Sequence, residues 1–275
     1  MNNDPRFHYN AHAVALEGKV NHPFQQDIDV QAPTFVSPNG GYGTAKADPY
    51  NLRDIVSHNG ARSRAEAGQK PNTTNHYAIV HAELQGFNIS DVLTADSVVA
   101  RLSVTHSPDQ EEPFISPKGS RIENLRILGH EITLIPLADT YHSNGTMSDL
   151  RKHFADNKDY RQTFYAHGFI GSANDVPDDK HKFFRWLLHK KKDELPEFRG
   201  HTIVPLFKIV DPNVAGIQVH GSVISVHNFG RIHVGELYVS PEERRVTMLR
   251  AKLGSPQDAS IVAGGGGGGM GQTDP

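Results

Sequence analysis

The sequence predicts an all-β fold, a β-sandwich or a related β-fold, with a helical insertion at about residues 146–195. Apolar and polar residues alternate within 76–84 and 97–105, as in strands that are buried on one face. Short strand-like runs separated by turn residues recur from 216 to 253. The apolar spacing becomes helical only inside the insertion.

The N-terminal third is predicted to start with a strand at 9–20. Four prolines between residues 21 and 50 prevent any long element, so this stretch is expected to contain short extended segments and loops. Residues 51–68 fit either a helical turn or a short strand, with a turn at Asn59-Gly60.

The strongest strand patterns lie in the middle of the chain. In 76–84 and 97–105, every second residue is apolar, which indicates half-buried strands. A proline-containing loop follows at 107–120, and 121–135 is predicted to form two short strands about Gly129.

The insertion carries two helix signals. Thr146 precedes Asp149 by three residues, a spacing similar to a capping box. A second helix is predicted from Asp178 to Leu195, because acidic residues suit its start and lysines suit its end, and Pro196 stops it.

Strands return at 200–210 and dominate from Gly216, with turns at 228–230 and 240–243. The glycine run that begins at Gly264 is predicted to be flexible. The predicted organisation is therefore an N-terminal arm with the first strand at 1–35, one β-rich domain at 36–262 and a flexible tail at 263–275.

Composition excludes several classes of function. A net charge of −3 over 275 residues does not favour nucleic acid as a partner. The absence of cysteine excludes disulfides, thiolate zinc sites and a cysteine nucleophile. No window approaches the ~20 apolar residues of a membrane-spanning helix, and the N-terminus shows no signal-peptide pattern.

Several blocks of the chain resemble a known group of proteins. These blocks are NAHAVALEGKV, PTFVSPNGG, HAELQGFNISDVLTADSVVARLSV, GSRIENLRILGHEI and GRIHVGELYVSPEERRVTMLRAKLG. Their layout resembles the choice-of-anchor type of bacterial β-rich proteins, an uncharacterised family of surface or exported proteins. The resemblance implies a β-sandwich with no established enzymatic activity and an extracellular or cell-surface location.

Histidine is abundant, with 17 residues, and suggests a divalent metal site as a sharper alternative to the prediction that no cofactor is bound. The best candidates are His220, His227 and His233. They would converge if a hairpin tip at Phe229 placed Ser225 opposite His233. No HxH or HExxH spacing supports this site.

Other catalytic patterns are weak. Two carboxylates facing each other across a cleft would suit glycoside hydrolysis, and Asp96, Glu123, Glu131 and Glu236 lie in or beside predicted strands. Ser222 follows His220 by two residues but lacks the GxSxG turn of a nucleophilic serine.

The segment 180–192, KHKFFRWLLHKKK, combines aromatic residues with lysines. A helix of this kind could contact a protein partner or an anionic membrane surface. A surface helix that buries its apolar side on its own sheet is the favoured interpretation. The candidate partner-binding residues are Phe183, Phe184, Trp186, Lys190, Lys191 and Lys192.

These patterns favour a non-enzymatic structural or interaction module that forms homo-oligomers or binds a protein partner. Open edge strands and exchanged termini would provide the contacts. The alternative is an enzyme, or a small-ligand or metal binder, whose pocket lies between the sheet and the insertion. That pocket would be lined by His153, Tyr160, Tyr165, His167 and His189, with His220 from a strand.

Overall fold

The computed structural model describes residues 7–137, 145–149, 202–239, 243–254 and 258–272. In chain order the strands are β1 (Phe7–His22), β2 (Gln26–Gln31), β3 (Thr34–Phe35), β4 (Gly41–Ala47), β5 (Tyr50–Leu52), β6 (Val56–His58), β7 (Gly60–Gln69), β8 (His76–Ile89), β9 (Leu93–His106), β10 (Phe114–Ser116), β11 (Arg121–Glu123), β12 (Arg126–Ile127), β13 (His130–Glu131), β14 (Leu134–Pro136), β15 (Thr202–Pro205), β16 (Phe207–Ile209), β17 (Ile217–His220), β18 (Val223–Val226), β19 (Gly230–Val239), β20 (Arg244–Leu253) and β21 (Asp258–Gln272). About 68% of the described residues are in strands and about 2% are in a helix, which confirms the all-β prediction.

The described strands form two large antiparallel sheets. Sheet I has the order β17-β18-β19-β20-β21-β1-β2, with β15 beside β19 and β3 beside β1. Sheet II has the order β13-β12-β9-β8-β6-β5, while β7 also pairs with β8, β4 with β7, and both β10 and β11 with β9. A small separate sheet joins β14 to β16.

The two sheets pack face to face as a sandwich. Cα atoms of β1 lie within 8 Å of β7 and β8, and those of β21 lie within 8 Å of β8 and β9. Stacked sheets are usually about 10 Å apart, so this approach is close. The largest side chains in the core include Leu16, Leu84, Phe87 and Leu102, all fully buried.

The glycine run forms part of β21, which lies in the middle of sheet I. β21 pairs with β20 on one side and with β1 on the other. A Cβ added at Gly264 would lie 3.0 Å from Val98 Cγ1, and one added at Gly266 would lie 2.9 Å from Val80 Cγ2. The prediction of a flexible tail was therefore wrong for residues 263–272, because strand pairing holds glycines that let sheet II approach closely.

The strand β8 changes the face that it presents to the core at Gly86. Leu84 is buried before the change and Phe87 after it, so the buried positions switch from even to odd numbers. Gly86 has a φ of +60°, a conformation that costs glycine little. In β21 the buried positions switch from odd to even numbers at Gly264, where φ is +63°. Both halves of each strand thereby stay packed on the core.

The N-terminal strand lies inside sheet I. β1 pairs with β21 from Phe7 to His22, and its other side pairs with β2 and β3. Tyr9, Ala11 and Ala13 are buried between the sheets. The first strand predicted at 9–20 is confirmed as β1. The prediction of an arm was wrong for residues 7–35, because alternate small residues of β1 contribute to the core.

The strands predicted at 76–84 and 97–105 are confirmed and are longer than expected, as β8 and β9. The ambiguous stretch 51–68 is extended and forms parts of β5, β6 and β7. Residues 121–135 contain four short strands, β11 to β14, where two were predicted. Pairing partners, rather than local periodicity, determine these shorter elements.

The predicted helix start at Thr146 is confirmed by a short helix at residues 147–149. The Asp149 amide donates to Thr146 Oγ1 at 3.0 Å, and the Thr146 hydroxyl donates to Asp149 Oδ2 at 2.7 Å. The rest of the predicted insertion, residues 150–195, lies outside the described residues. In the part of the chain that is described, no helix combines the length and apolar character of a membrane crossing.

Candidate functional site

One border of the sandwich presents an open strand edge. β4 pairs with β7 from Gly41 to Ala47, and none of the described strands pairs with its other side. An edge of this kind leaves backbone donors and acceptors available to another strand. β4 is therefore a candidate site for association through main-chain hydrogen bonds.

Two aromatic side chains are exposed at the same border. Phe35 of β3 is 79% exposed and Tyr42 of β4 is 61% exposed, the highest values among large apolar and aromatic residues in the described ranges. The two strands are adjacent, since a Cβ added at Gly43 would lie 2.9 Å from the Phe35 carbonyl oxygen. The Arg64 guanidinium lies 4.9 Å from the centre of the Tyr42 ring. Exposed aromatic residues beside an open edge favour a contact surface.

The outer face of sheet II, next to this border, carries a buried carboxylate. Glu83 is 5% exposed, and the Arg62 Nε and Nη2 atoms donate to its Oε2 atom at 2.7 and 2.5 Å. Burial acts to raise the pKa of Glu83, but the hydrogen bonds from Arg62 and Gln85 outweigh it and lower this pKa. Glu83 therefore stays ionised at neutral pH and fixes the position of Arg62.

His81 lies in the next row of the same face, between Arg64 on β7 and Arg101 on β9. Burial lowers the pKa of His81, and the nearby cations Arg62, Arg101 and Arg121 lower it further, against the opposing effect of Glu83. His81 is therefore neutral at pH 7, and arginines supply the positive charge of this face.

Sheet I contains a second cluster of charged groups, formed by Glu236 and His233 on β19 and Arg250 on β20. The Arg250 Nη2 atom donates to Glu236 Oε2 at 2.7 Å, and His233 Nδ1 lies 3.1 Å from Glu236 Oε1. His233 and Arg250 are direct cross-strand neighbours. Because His233 and Glu236 are both buried, we interpret the cluster as a structural ion-pair network.

The predicted histidine trio does not converge. His220 ends β17 and His227 follows β18, and both are exposed, whereas His233 is buried. The expected contact of Ser225 with His233 was wrong, because Ser225 pairs with Arg231. Among the described residues, no group of three His, Asp or Glu side chains could hold a metal ion.

One of the four candidate acids, Glu236, is separated from the other three. Glu236 lies in sheet I, while the other three lie on strands of sheet II. Asp96 accepts a hydrogen bond from Asn124 at 2.6 Å, and Glu123 is paired with Arg121. Glu131 is exposed on the short strand β13. Asp96 and Glu123 lie on the paired strands β9 and β11, side by side on one sheet surface and bound to these partners, rather than facing each other across a cleft as glycoside hydrolysis requires.

Ser222 is buried in the turn between β17 and β18. Its carbonyl oxygen accepts a hydrogen bond from the Val234 amide at 2.9 Å, which ties the turn to β19. The partner-binding candidates Phe183, Phe184, Trp186, Lys190, Lys191 and Lys192, and the pocket residues 153–189, lie outside the described residues.

Sequence reasoning missed an aromatic and histidine cluster at one end of the sandwich. The Phe7 ring stacks on His76 with 3.8 Å between ring centres, and Tyr9 Oη lies 2.6 Å from His76 Nδ1. His76 pairs across the sheet with His106. The packing of β1 against β8 creates this cluster, so no local pattern could have indicated it.

Comparison with known proteins identifies a family. A family model described as a domain of unknown function (DUF8256) matches residues 7–240. The chain belongs to the DUF8256 family. No curated protein and no solved structure matches it, so the resemblance of this DUF8256 domain to choice-of-anchor proteins stays a prediction.

Three histidines of the DUF8256 domain predict a loss of stability at mildly acidic pH. Burial lowers the pKa of His58, and burial followed by the neighbouring His106 lowers the pKa of His76. The pKa of His81 is lowered as described above. The unfolded chain therefore binds more protons than the native state as pH falls through the ordinary histidine value of 6.5, and the free energy of unfolding decreases.

Urea unfolding at pH 7.5, 6.5 and 5.5 tests this expectation. We expect similar stability at pH 7.5 and above, and a progressive loss below pH 6.5. The variant H58Q should lose less stability over this range than the wild type, while the exposed-site control H220Q should follow the wild type. Equal or greater stability at pH 5.5 would contradict the expectation.

Proposed function

We propose that this DUF8256 domain is a non-enzymatic interaction module that associates with a second copy of itself through the β4 edge of sheet II. The observation that carries the proposal is the open side of a seven-residue edge strand, flanked by the exposed rings of Phe35 and Tyr42. A strand from a second copy would satisfy the unpaired main-chain groups and contact the Tyr42 ring on the outer face of sheet II.

An antiparallel β4–β4 pair supports a two-fold symmetric contact. If the pair is centred on Thr44, Tyr42 of one copy lies opposite Lys46 of the other, and the same contact occurs twice. Tyr42, Thr44 and Lys46 all point to the outer face of the sheet. A lysine ammonium over a tyrosine ring is favourable by about 0.5–1 kcal/mol at an exposed site. A lysine on an edge strand discourages unspecific strand pairing, but in this register Lys46 would make a favourable contact with Tyr42.

The exchange of terminal strands between copies, which the sequence suggested, is not part of this association. β1 and β21 pair with each other within one chain over most of their length. Moving either strand to another copy would expose buried residues such as Ala11 and Ala13. The association therefore rests on β4, whose outer edge can be covered without opening the core.

A charge exchange at the proposed interface tests this function. The variant Y42K places lysine opposite Lys46, and like charges directly opposite each other destabilise a strand pair. We expect the wild type to show a concentration-dependent dimer in light scattering, and Y42K to weaken it by about tenfold or more, which corresponds to about 1.4 kcal/mol. The double variant Y42K/K46E should restore the dimer.

The control is I135K, which adds a lysine at an exposed apolar residue of the small β14–β16 sheet. It should leave the mass unchanged. A wild-type protein that stays monomeric at high concentration would contradict the proposal, as would a Y42K variant with the wild-type dissociation constant.

A further inference from the structure

The outer face of sheet II and its adjoining turn concentrate positive charge on a chain whose net charge is −3. The outward side chains come from β4, β7, β8, β9 and β11 and from the turn at 117–120. The cationic members are Lys46, Arg62, Arg64, Arg101, Lys118 and Arg121, and the anionic members are Glu66, Glu83, Asp96 and Glu123. Six cations against four carboxylates leave an excess of two positive charges on this face.

Three of the arginines are held by carboxylates. Arg62 binds Glu83, Arg64 binds Glu66, and Arg121 Nε lies 2.6 Å from Glu123 Oε1. These side chains are still half-exposed or more, so their remaining N–H groups reach solvent. The pairs hold the guanidinium groups in place, and Tyr77 also donates a hydrogen bond to Glu66 at 2.7 Å. The face is therefore a positioned array rather than a set of mobile side chains.

Apart from Lys46 on β4, the cations of this face without an ion pair among the described residues are Arg101 and Lys118. The Arg101 amide donates to Ser120 Oγ at 2.9 Å, and the Ser120 hydroxyl donates to the Arg101 carbonyl oxygen at 2.9 Å. A Cβ at Gly119 would lie 3.2 Å from Arg101 Cδ, so this turn lies against the arginine side chain.

We propose that this outer face of sheet II binds an acidic polysaccharide, whose anionic groups contact Arg101 and Lys118. Arg64, His81 and Arg101 occupy adjacent strands, which places the two arginines about 10 Å apart across the sheet. A linear chain lying across the strands would meet cations on β7 and β9 in succession. Guanidinium groups bind such oxyanions with paired hydrogen bonds.

The combination of cationic donors and carboxylate acceptors on this face favours an acidic polysaccharide as the ligand. The exposed carboxylates Asp96 and Glu123 on this face would repel a ligand that carries only negative groups, but they can accept hydrogen bonds from sugar hydroxyls. Duplex nucleic acid requires a more strongly basic surface. A protein partner usually needs an apolar centre, and the central apolar residue Val99 is only 1% exposed. An acidic polysaccharide offers both anionic groups and hydroxyl donors.

Binding of the full chain to polygalacturonate, measured by calorimetry at low ionic strength, tests the site. We expect binding to polygalacturonate and none to dextran, which is neutral. The double variant R101A/K118A should weaken the affinity at least tenfold. The control K208A/K252A removes two exposed cations from the small β14–β16 sheet and sheet I, and it should change the affinity less than twofold.

Several results would overturn the proposal. These are no binding of polygalacturonate at low salt, equal binding of dextran, tighter binding of polyphosphate or an acidic peptide than of polygalacturonate, and equal losses in the two double variants. Circular dichroism of both variants distinguishes lost binding from lost folding. Neither Arg101 nor Lys118 lies on β4, so the outcome is independent of dimer formation through that edge.

Discussion

Replacing Gly264 with alanine is expected to lower the free energy of unfolding by about 2–5 kcal/mol. The φ of +63° at this position costs an L-residue about 1–2 kcal/mol. The new Cβ would also lie 3.0 Å from Val98 Cγ1 and 3.2 Å from Met248 Cβ, and overpacking of a core typically costs 1–3 kcal/mol. Chemical denaturation followed by circular dichroism measures the loss.

The neighbouring glycine provides a matched control. Gly265 lies on the opposite face of β21, where an added Cβ would meet only atoms at 3.8 Å or beyond. Since glycine weakens a strand relative to alanine by roughly 0.5–1 kcal/mol, G265A is expected to be neutral or slightly stabilising. Similar losses in G264A and G265A would show that the close approach of the two sheets is not what requires glycine.

Replacing Arg250 with methionine is expected to lower the free energy of unfolding by about 3 kcal/mol. The change removes the Nη2 donor that binds both carboxylate oxygens of Glu236, at 3.0 and 2.7 Å. Glu236 is 8% exposed, and breaking a buried pair by removing one partner leaves a charge that water cannot reach, at a cost of about 3–5 kcal/mol. Methionine retains most of the volume, so packing is preserved.

The double variant R250M/E236L separates charge from packing. With both charges removed, the apolar pair should recover at least half of the stability lost in R250M, because the unpaired carboxylate of residue 236 is no longer buried. The exposed pair Arg121–Glu123 is the control, since R121M should cost less than about 1 kcal/mol. A double variant less stable than R250M would mean that the cluster contributes through hydrogen bonds other than the Arg250–Glu236 pair.

Local sequence patterns predicted the fold class and the long strands, because the alternation of apolar and polar residues in a strand involves only neighbouring residues of that strand. Alternation within 76–84 identified β8, and the Thr146–Asp149 spacing identified the start of a helix. The glycine run was misinterpreted because its order comes from pairing with the preceding strand β20 and with β1, which lies at the other end of the described chain. A run of glycines has no alternation of apolar and polar side chains, so only its pairing with neighbouring strands shows that it is a strand.

The candidate sites also depend on the pairing of strands. Glu236 and His233 were each noted in the sequence, but their contact with Arg250 depends on the register between β19 and β20. The open edge of β4 is a property of the whole sheet order, and the row of Arg64, His81 and Arg101 requires the pairing of three strands. None of these follows from residue spacing along one segment.

The pairing of β1 with β21 also has a consequence for the order in which the domain folds. Phe7 is aligned with Gln272, so sheet I closes through contacts between the two ends of the described residues. Such contacts form slowly because a long loop must close first. During synthesis, β1 cannot complete its pairing until the last strand is made, and until then it presents a long unpaired edge to other chains. The glycine-rich strand β21 therefore completes sheet I, and the nascent domain is protected from aggregation only after this strand has been synthesised.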